Sequence, residues 1–207
     1  MVGIVDYGVG NLFSLGSSFT AIGEEVTVSR DPAVLSRCDR LVLPGVGAFE
    51  DAARLLRETG MAEFVLSEVA AGKPLLGICL GMQLLFERSY EYGVHEGLGL
   101  IRGSVRPIAD VIPRGLKIPE IGWNSLHFVK QNPLFRYVKE GDYVYFVHSY
   151  HGTECEEATV AVTEYGAPIT AAVASGHVFG CQFHPEKSGA VGLSILRAFA
   201  EGEVISC

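Results

Sequence analysis

The spacing of hydrophobic and polar positions along this 207-residue chain changes character part-way through. Val2 to Val5 form an unbroken apolar run of strand length, after which Leu12, Leu15, Phe19 and Ile22 recur at helical spacing. Asn11 is placed to cap that helix and Gly23 to stop it. Glu25 to Ser29 predict a second strand, Asp31-Pro32 opens a short helix with a cap and a first-turn proline, and Leu41 to Leu43 predict a third strand. The loop PGVG at 44–47 then runs into AFEDAARLLRETG, and MAEFVLSEVAAG carries the helical pattern up to a strand at Leu75, Leu76 and Ile78. Leu84, Leu85 and Phe86 fit the buried face of the next helix. Strands separated by helices pair in parallel and place their functional loops at their carboxyl ends.

Between Gly99 and Ser175 the pattern shortens to β-like segments such as SLHFVK, DYVYFVHSYH and TVAVTEY, which predict an antiparallel extension of the parallel sheet. The chain returns to a strand at Val178 to Phe183 and to an amphipathic helix with Val191, Ile195, Leu196 and Phe199 on its inner side. The expected fold is α/β, a mostly parallel sheet flanked by helices, with residues 1–207 as a single domain.

Composition narrows the classes of function. With 48% hydrophobic and 19% charged residues the chain has no signature of disorder, and a net charge of −8 argues against wrapping nucleic acid phosphates. Neither Gly8-Val9-Gly10 nor Gly45-Val46-Gly47 carries a third glycine at dinucleotide spacing, and no GxxxxGK[ST] is present. The five cysteines, Cys38, Cys79, Cys155, Cys181 and Cys207, contain no CxxC pair. A zinc site or disulfide framework is not expected, and a reducing cytoplasm is. The opening MVGIVDYGVGN lacks a basic region followed by an apolar one, and apolar runs end within about ten residues, so neither a signal peptide nor a membrane span is expected.

The candidate chemistry begins at GICLG, residues 77–81. Cys79 sits at a strand-to-helix turn with a glycine two residues to either side, an elbow in which a thiol stands where other enzymes place a serine. The positive end of a helix favours the thiolate, the reactive form. The same stretch also reads as a small cysteine packed in an α/β core. A thiolate needs a base and a group that orients the base. His184 follows the last strand and reaches the same sheet edge as Cys79. Glu186 projects to the histidine's side if the chain is extended, and Pro185 between them stiffens the backbone. Alone, HPE also reads as a strand-terminating turn with a surface histidine. PGVG can aim backbone N–H groups at an oxyanion together with the Leu80 N–H, or can be a plain strand-to-helix turn. The three together point to cysteine acyl transfer.

GICLGMQ, PGVG and HPE together resemble the class I glutamine amidotransferases, which have a flavodoxin-like fold. DYGVGNLFS, GMQLLFERS, EGLGL, IPEIGWN, FVHSYH and HPEKS are similar to the glutaminase subunits of imidazole glycerol phosphate synthases, which serve histidine biosynthesis. The resemblance implies Cys79 as nucleophile, His184 as acid and base, and Glu186 as its orienter. It places Val46, Gly47 and Leu80 at the oxyanion, and Gln83, Ser149 and Tyr150 on glutamine. Asp6, Tyr7, Gly8, Asn11, Trp123 and Lys187 fall toward a cyclase partner, a (β/α)8 barrel joined in a heterodimer. It implies no cofactor and no metal, and leaves His148 and His151 to structural or rim positions. Another class I amidotransferase glutaminase, a γ-glutamyl hydrolase or cysteine peptidase on the same fold, and a redox or chaperone domain that keeps an elbow cysteine, are the rival readings.

Overall fold

The computed structural model describes residues 1–202. Its first half alternates as the sequence predicts: β1 (Val2–Val5), α1 (Leu12–Ala21), β2 (Val26–Ser29), α2 (Pro32–Leu35), β3 (Arg40–Leu43), α3 (Phe49–Glu58), α4 (Met61–Ala70) and β4 (Leu75–Ile78). Local chemistry sets the helix starts. Asn11 Oδ1 accepts from the Ser14 N–H at 3.4 Å, and Asp31 Oδ1 accepts from the Ala33 N–H at 2.9 Å ahead of α2, in which Pro32 occupies the first turn.

The helix after Cys79 is shorter than its apolar run suggests. α5 spans Leu80–Leu84, and Phe86, expected on the helix, instead begins strand β5 (Phe86–Ser89). The reason is competition for carbonyls. The N–H groups of Leu98, Leu100 and Gly99 donate to Leu84, Leu85 and Phe86 oxygens at 2.8, 2.8 and 3.1 Å, so EGLGL takes the acceptors a longer helix would need. Only glycine fits at 97, where a Cβ would stand 2.0 Å from the Phe86 oxygen.

The remaining strands are β6 (His95–Glu96), β7 (Ile101–Pro107), β8 (Glu120–Ser125), β9 (His127–Phe128), β10 (Tyr143–His148), β11 (Tyr150–Thr153), β12 (Thr159–Glu164), β13 (Pro168–Ser175) and β14 (Val178–Cys181), followed by α6 (Gly189–Glu201). The main sheet has the order β2-β1-β3-β4-β14-β13-β12-β9. From β2 to β14 its neighbours are parallel, and β13, β12 and β9 extend it antiparallel, as expected. A smaller sheet, β11-β7-β5-β6, contains one unforeseen parallel pair, β5 with β7, and β8 with β10 forms a separate ribbon.

The two sides of the main sheet bury two apolar clusters. Val5, Leu41, Leu43 and Leu75 face the α3 and α4 side chains Leu56, Met61 and Val65, whereas Val2, Ile4, Val42 and Leu76 face Leu15 and Phe19 of α1 and Ile195, Leu196 and Phe199 of α6. Covering both faces with helices leaves the carboxyl ends of β1, β3, β4 and β14 as the open rim on which chemistry can be assembled.

Candidate active site

The rim is most constrained at Cys79, which has φ 55° and ψ −111°, a left-handed setting that costs a non-glycine residue about 1–3 kcal/mol. Neighbouring contacts hold it there. The Cys79 N–H donates to the Cys181 oxygen at 2.8 Å, so the strand ladder runs up to the cysteine before the chain turns into α5. The flanking glycines let the turn close: a Cβ on Gly77 would lie 2.6 Å from the Gly81 oxygen, and one on Gly81 would lie 1.9 Å from the Leu43 oxygen. Substitution at Gly81 would therefore push α5 off the end of β3.

Parallel pairing brings the second group to the same place. Cys181 on β14 is in register with Ile78 on β4, so three further residues carry His184 to the edge occupied by Cys79. The His184 N–H donates to the Tyr145 oxygen at 2.9 Å, and its own oxygen accepts from Ser188 Oγ at 2.6 Å. His184 Nδ1 meets Glu186 Oε1 at 2.8 Å, and both side chains are 3% exposed, which removes the surface-histidine reading. The pairing arises differently from the extended chain expected. Pro185–Lys187 is a single 3-10 turn, favoured by the fixed φ of Pro185, and the turn brings Glu186 back beneath the ring. Burial disfavours the charged imidazole, but hydrogen bonds to Cys79 and Glu186, with their charges, outweigh it and raise the His184 pKa to about 9. The imidazole thus keeps its proton at neutral pH, between a sulfur and a carboxylate.

Beside this pair, Pro44 and Gly45 are buried while Val46 and Gly47 are exposed, with Gly47 at φ 93°. Gly45 packs on the elbow, where a Cβ would come 2.6 Å from the Gly81 nitrogen. PGVG and the Cys79 turn are therefore adjacent, and Leu80 opens α5 between them. Tyr7 OH donates to the Pro44 oxygen at 2.8 Å. Tyr7 is 2% exposed, so of the residues expected on a partner face it is the one whose side chain points inward, to brace this loop.

Gln83 is buried and donates through Nε2 to the Tyr150 oxygen at 3.2 Å, which brings it to Tyr150 and the adjoining Ser149. Ser149 and Tyr150, both half-buried, line a cavity of about 460 Å³ with His148, Glu91 and Tyr92. Glu91 had no signal in the sequence; its Oε2 accepts from the Phe49 N–H at 2.5 Å at the start of α3. A larger cavity of about 740 Å³, lined by Glu87, Arg102 and Glu154 to Glu157, holds no comparable cysteine–histidine pair among the described residues. His148 and His151, left to structural or rim positions by the sequence, are both buried.

On the outer rim, Gly8, Asn11, Trp123 and Lys187 are exposed, and Asp6 is half-buried in an ion pair with Arg30 at 2.7 Å. Trp123 stands edge-on to Tyr145 with ring centres 6.1 Å apart, and Lys187 Nζ lies 5.9 Å from the Tyr145 ring centre. Phe13, 85% exposed at the start of α1, joins Asn11 there and was not singled out by the sequence. Among the described residues, no cluster of His, Cys, Asp and Glu is arranged to hold a metal, and no helix is long and apolar enough to cross a membrane.

The sequence profile of the family "Glutamine amidotransferase class-I" matches residues 3–201. The chain belongs to the class I glutamine amidotransferases. Within the family it is 50% identical to "Imidazole glycerol phosphate synthase subunit HisH" of Caldanaerobacter subterraneus subsp. tengcongensis, covering 100% of both chains. It is 52% identical to the protein of the same name from Geobacillus thermodenitrificans over 96% of this chain and 94% of that one, and 48% identical to that from Wolinella succinogenes over 97% and 99%. Of solved structures, one described as "Crystal structure of glutamine amidotransferase" superposes with a TM-score of 0.75 at 22% identity, covering 97% of each chain, a likeness that bears on the fold. "Structure of PurLQS from Thermotoga maritima" superposes with a TM-score of 0.74 at 21% identity over 96% of each chain.

Proposed function

We propose that residues 1–207 act as one amidotransferase domain, the glutaminase subunit of an imidazole glycerol phosphate synthase. The observation that carries the reading is the buried His184–Glu186 pair, 2.8 Å apart at the sheet edge that holds Cys79, in a chain about half identical, end to end, to subunits of that name. In the proposed reaction the Cys79 thiolate attacks the side-chain carboxamide of glutamine. Backbone N–H groups of Val46 or Gly47 and of Leu80 receive the oxyanion, and His184 passes its proton to departing ammonia. The neutral imidazole then takes a proton from water, which cleaves the thioester to glutamate and restores the thiolate. Glu186 holds the ring and balances its charge throughout. Gln83, Ser149 and Tyr150 bind the substrate, and the Glu91 carboxyl group, which lines one cavity with Ser149 and Tyr150, suits its α-ammonium group. The chemistry calls for no metal or cofactor.

Ammonia released into water near neutral pH becomes mostly unreactive ammonium, so the product is useful only to a docked synthase. The partner in this reading is a cyclase subunit with a (β/α)8 barrel, joined as a cytoplasmic heterodimer. It consumes ammonia to convert a phosphoribosyl-formimino aminoimidazole carboxamide ribonucleotide into imidazole glycerol phosphate and an aminoimidazole carboxamide ribonucleotide. Asp6, Gly8, Asn11, Trp123 and Lys187 face it, and Tyr7 supports that face from within. In the complex, Cys79→Ala should abolish synthesis from glutamine and leave synthesis from added ammonium salts intact. Loss of both would overturn the division of labour, and release of glutamate from γ-glutamyl peptides in preference to glutamine would favour a hydrolase instead.

A further inference from the structure

Behind Cys79 lies a side chain that the proposed mechanism does not use. Gln182 follows β14 and is 0% exposed, and its backbone N–H donates to the Ala171 oxygen at 2.8 Å, which fixes where the side chain begins. Its Nε2 donates to Cys79 Sγ at 3.7 Å, and its Oε1 accepts from Gln83 Nε2 at 3.1 Å. Gln83 Nε2 also donates to the Tyr150 oxygen, which accepts from His148 Nδ1 at 2.8 Å. A row of buried groups thus runs from His148 to the sulfur.

The direction of these bonds follows from their chemistry. A backbone carbonyl can only accept, so Tyr150 obliges Gln83 to present its amide nitrogen. That nitrogen can only donate, so Gln182 presents its oxygen to Gln83. Its own nitrogen is left facing Cys79. Gln182 therefore offers the sulfur a donor whose orientation is set two residues away.

We propose that Gln182 is a positioning residue for the nucleophile: its amide N–H, locked by Gln83, holds the Cys79 sulfur in place and favours its thiolate form. A hydrogen bond to a charged acceptor is stronger than one to a neutral one, so the contact strengthens when the thiol loses its proton. It weakens when the sulfur becomes a neutral thioester and strengthens again as thiolate leaves. An amide does not give up its proton under these conditions, so the role is distinct from that of His184. This assignment deepens the proposed glutaminase reading and rests on it for its catalytic consequence, but the effect on the sulfur can be measured without glutamine.

The test is the rate of iodoacetamide alkylation of Cys79, read as the mass of its peptide across pH, beside glutamate release by the complex with its synthase. In Gln182→Met, alkylation at neutral pH should slow roughly tenfold and its profile move up by about one pH unit. Gln182→Glu, the same size but anionic toward the sulfur, should slow it further. Gln83→Met, which keeps Gln182 but frees its amide to turn, should slow it by a smaller factor. For both Gln182 variants kcat should fall in step with alkylation and KM stay within about twofold. Unchanged alkylation profiles in Gln182 variants that melt like the wild type would overturn the role, as would Gln182→Glu reacting as fast as wild type. Wild type that alkylates as described yet releases no glutamate with its partner would instead count against the glutaminase reading.

Discussion

Two buried histidine–glutamate pairs stand close to the rim of this molecule, and they differ in what lies beyond the pair. His184 Nδ1 meets Glu186 Oε1 at 2.8 Å; His148 Nε2 meets Glu120 Oε2 at 3.1 Å, across the β8–β10 ribbon where the two residues are opposite each other in register. All four side chains are under 5% exposed. In the second pair both ends are closed: His148 Nδ1 bonds to the Tyr150 oxygen, and Glu120 Oε1 accepts from Asn124 Nδ2 at 3.0 Å. In the first, the Cys79 sulfur stands close enough to raise the histidine's pKa, and Glu186 Oε2 has no partner among the described residues. One pair is saturated and fastens a strand ribbon. The other retains capacity beside the Cys79 sulfur, and that difference sets a structural pair apart from the pair proposed to carry a proton more surely than residue type does.

Breaking the first pair should have the largest effect on activity. His184→Ala removes the proton carrier of the proposed reaction and should lower glutaminase kcat by about 10³-fold or more, whereas Glu186→Gln would weaken only orientation and charge balance and should cost less. Equal or reversed losses in folded proteins, measured as glutamate release in the complex, would count against the assigned roles. Breaking the second pair should appear mainly in stability. His148→Phe leaves Glu120 buried without its hydrogen-bond partner and should cost about 1–3 kcal/mol in urea unfolding, with kcat falling by less than tenfold. A loss of activity as large as that of His184→Ala, without loss of stability, would erase the distinction.

The smallest expected effect is on the dependence of stability on pH. The folded pKa of His184 is raised from 6.5 to about 9, so its contribution is complete below about pH 6.5 and is lost as pH rises through about 9. His151 behaves oppositely. Burial, with a further push from the charge of His148, lowers its pKa from 6.5 to about 4, so its contribution is complete above about pH 6.5 and is lost as pH falls toward 4. Stability should therefore peak near neutrality. Unfolding measured across that range should show a flatter alkaline side in His184→Gln and a flatter acid side in His151→Phe.

The parallel half was legible in the sequence because its signals are local: the apolar run of β1, the Asn11 cap and the proline of α2 act within a few residues. The elbow was legible too, since Gly77, Cys79 and Gly81 occupy five consecutive positions. The end of α5 was not, because the groups that capture the Leu84 to Phe86 carbonyls lie past residue 97. Glu186 was matched to His184 for the wrong local reason, a straight chain where a turn exists. Glu91 and Gln182 were invisible for the same cause at longer range. Their partners, Phe49 and Cys79, are 42 and 103 residues away, and no spacing rule connects them.

The central claim is that Cys79, activated by His184, carries the γ-glutamyl group. Its most direct test is acid quenching of the complex during turnover with glutamine, followed by mass analysis of its cysteine peptides. The account predicts a γ-glutamyl adduct on the Cys79 peptide and none on that of Cys181, whose thiol is fully buried and whose pKa is pushed well above its ordinary value by desolvation. The adduct should vanish, together with glutamate release, in Cys79→Ala. Undiminished glutamate release from Cys79→Ala would contradict it.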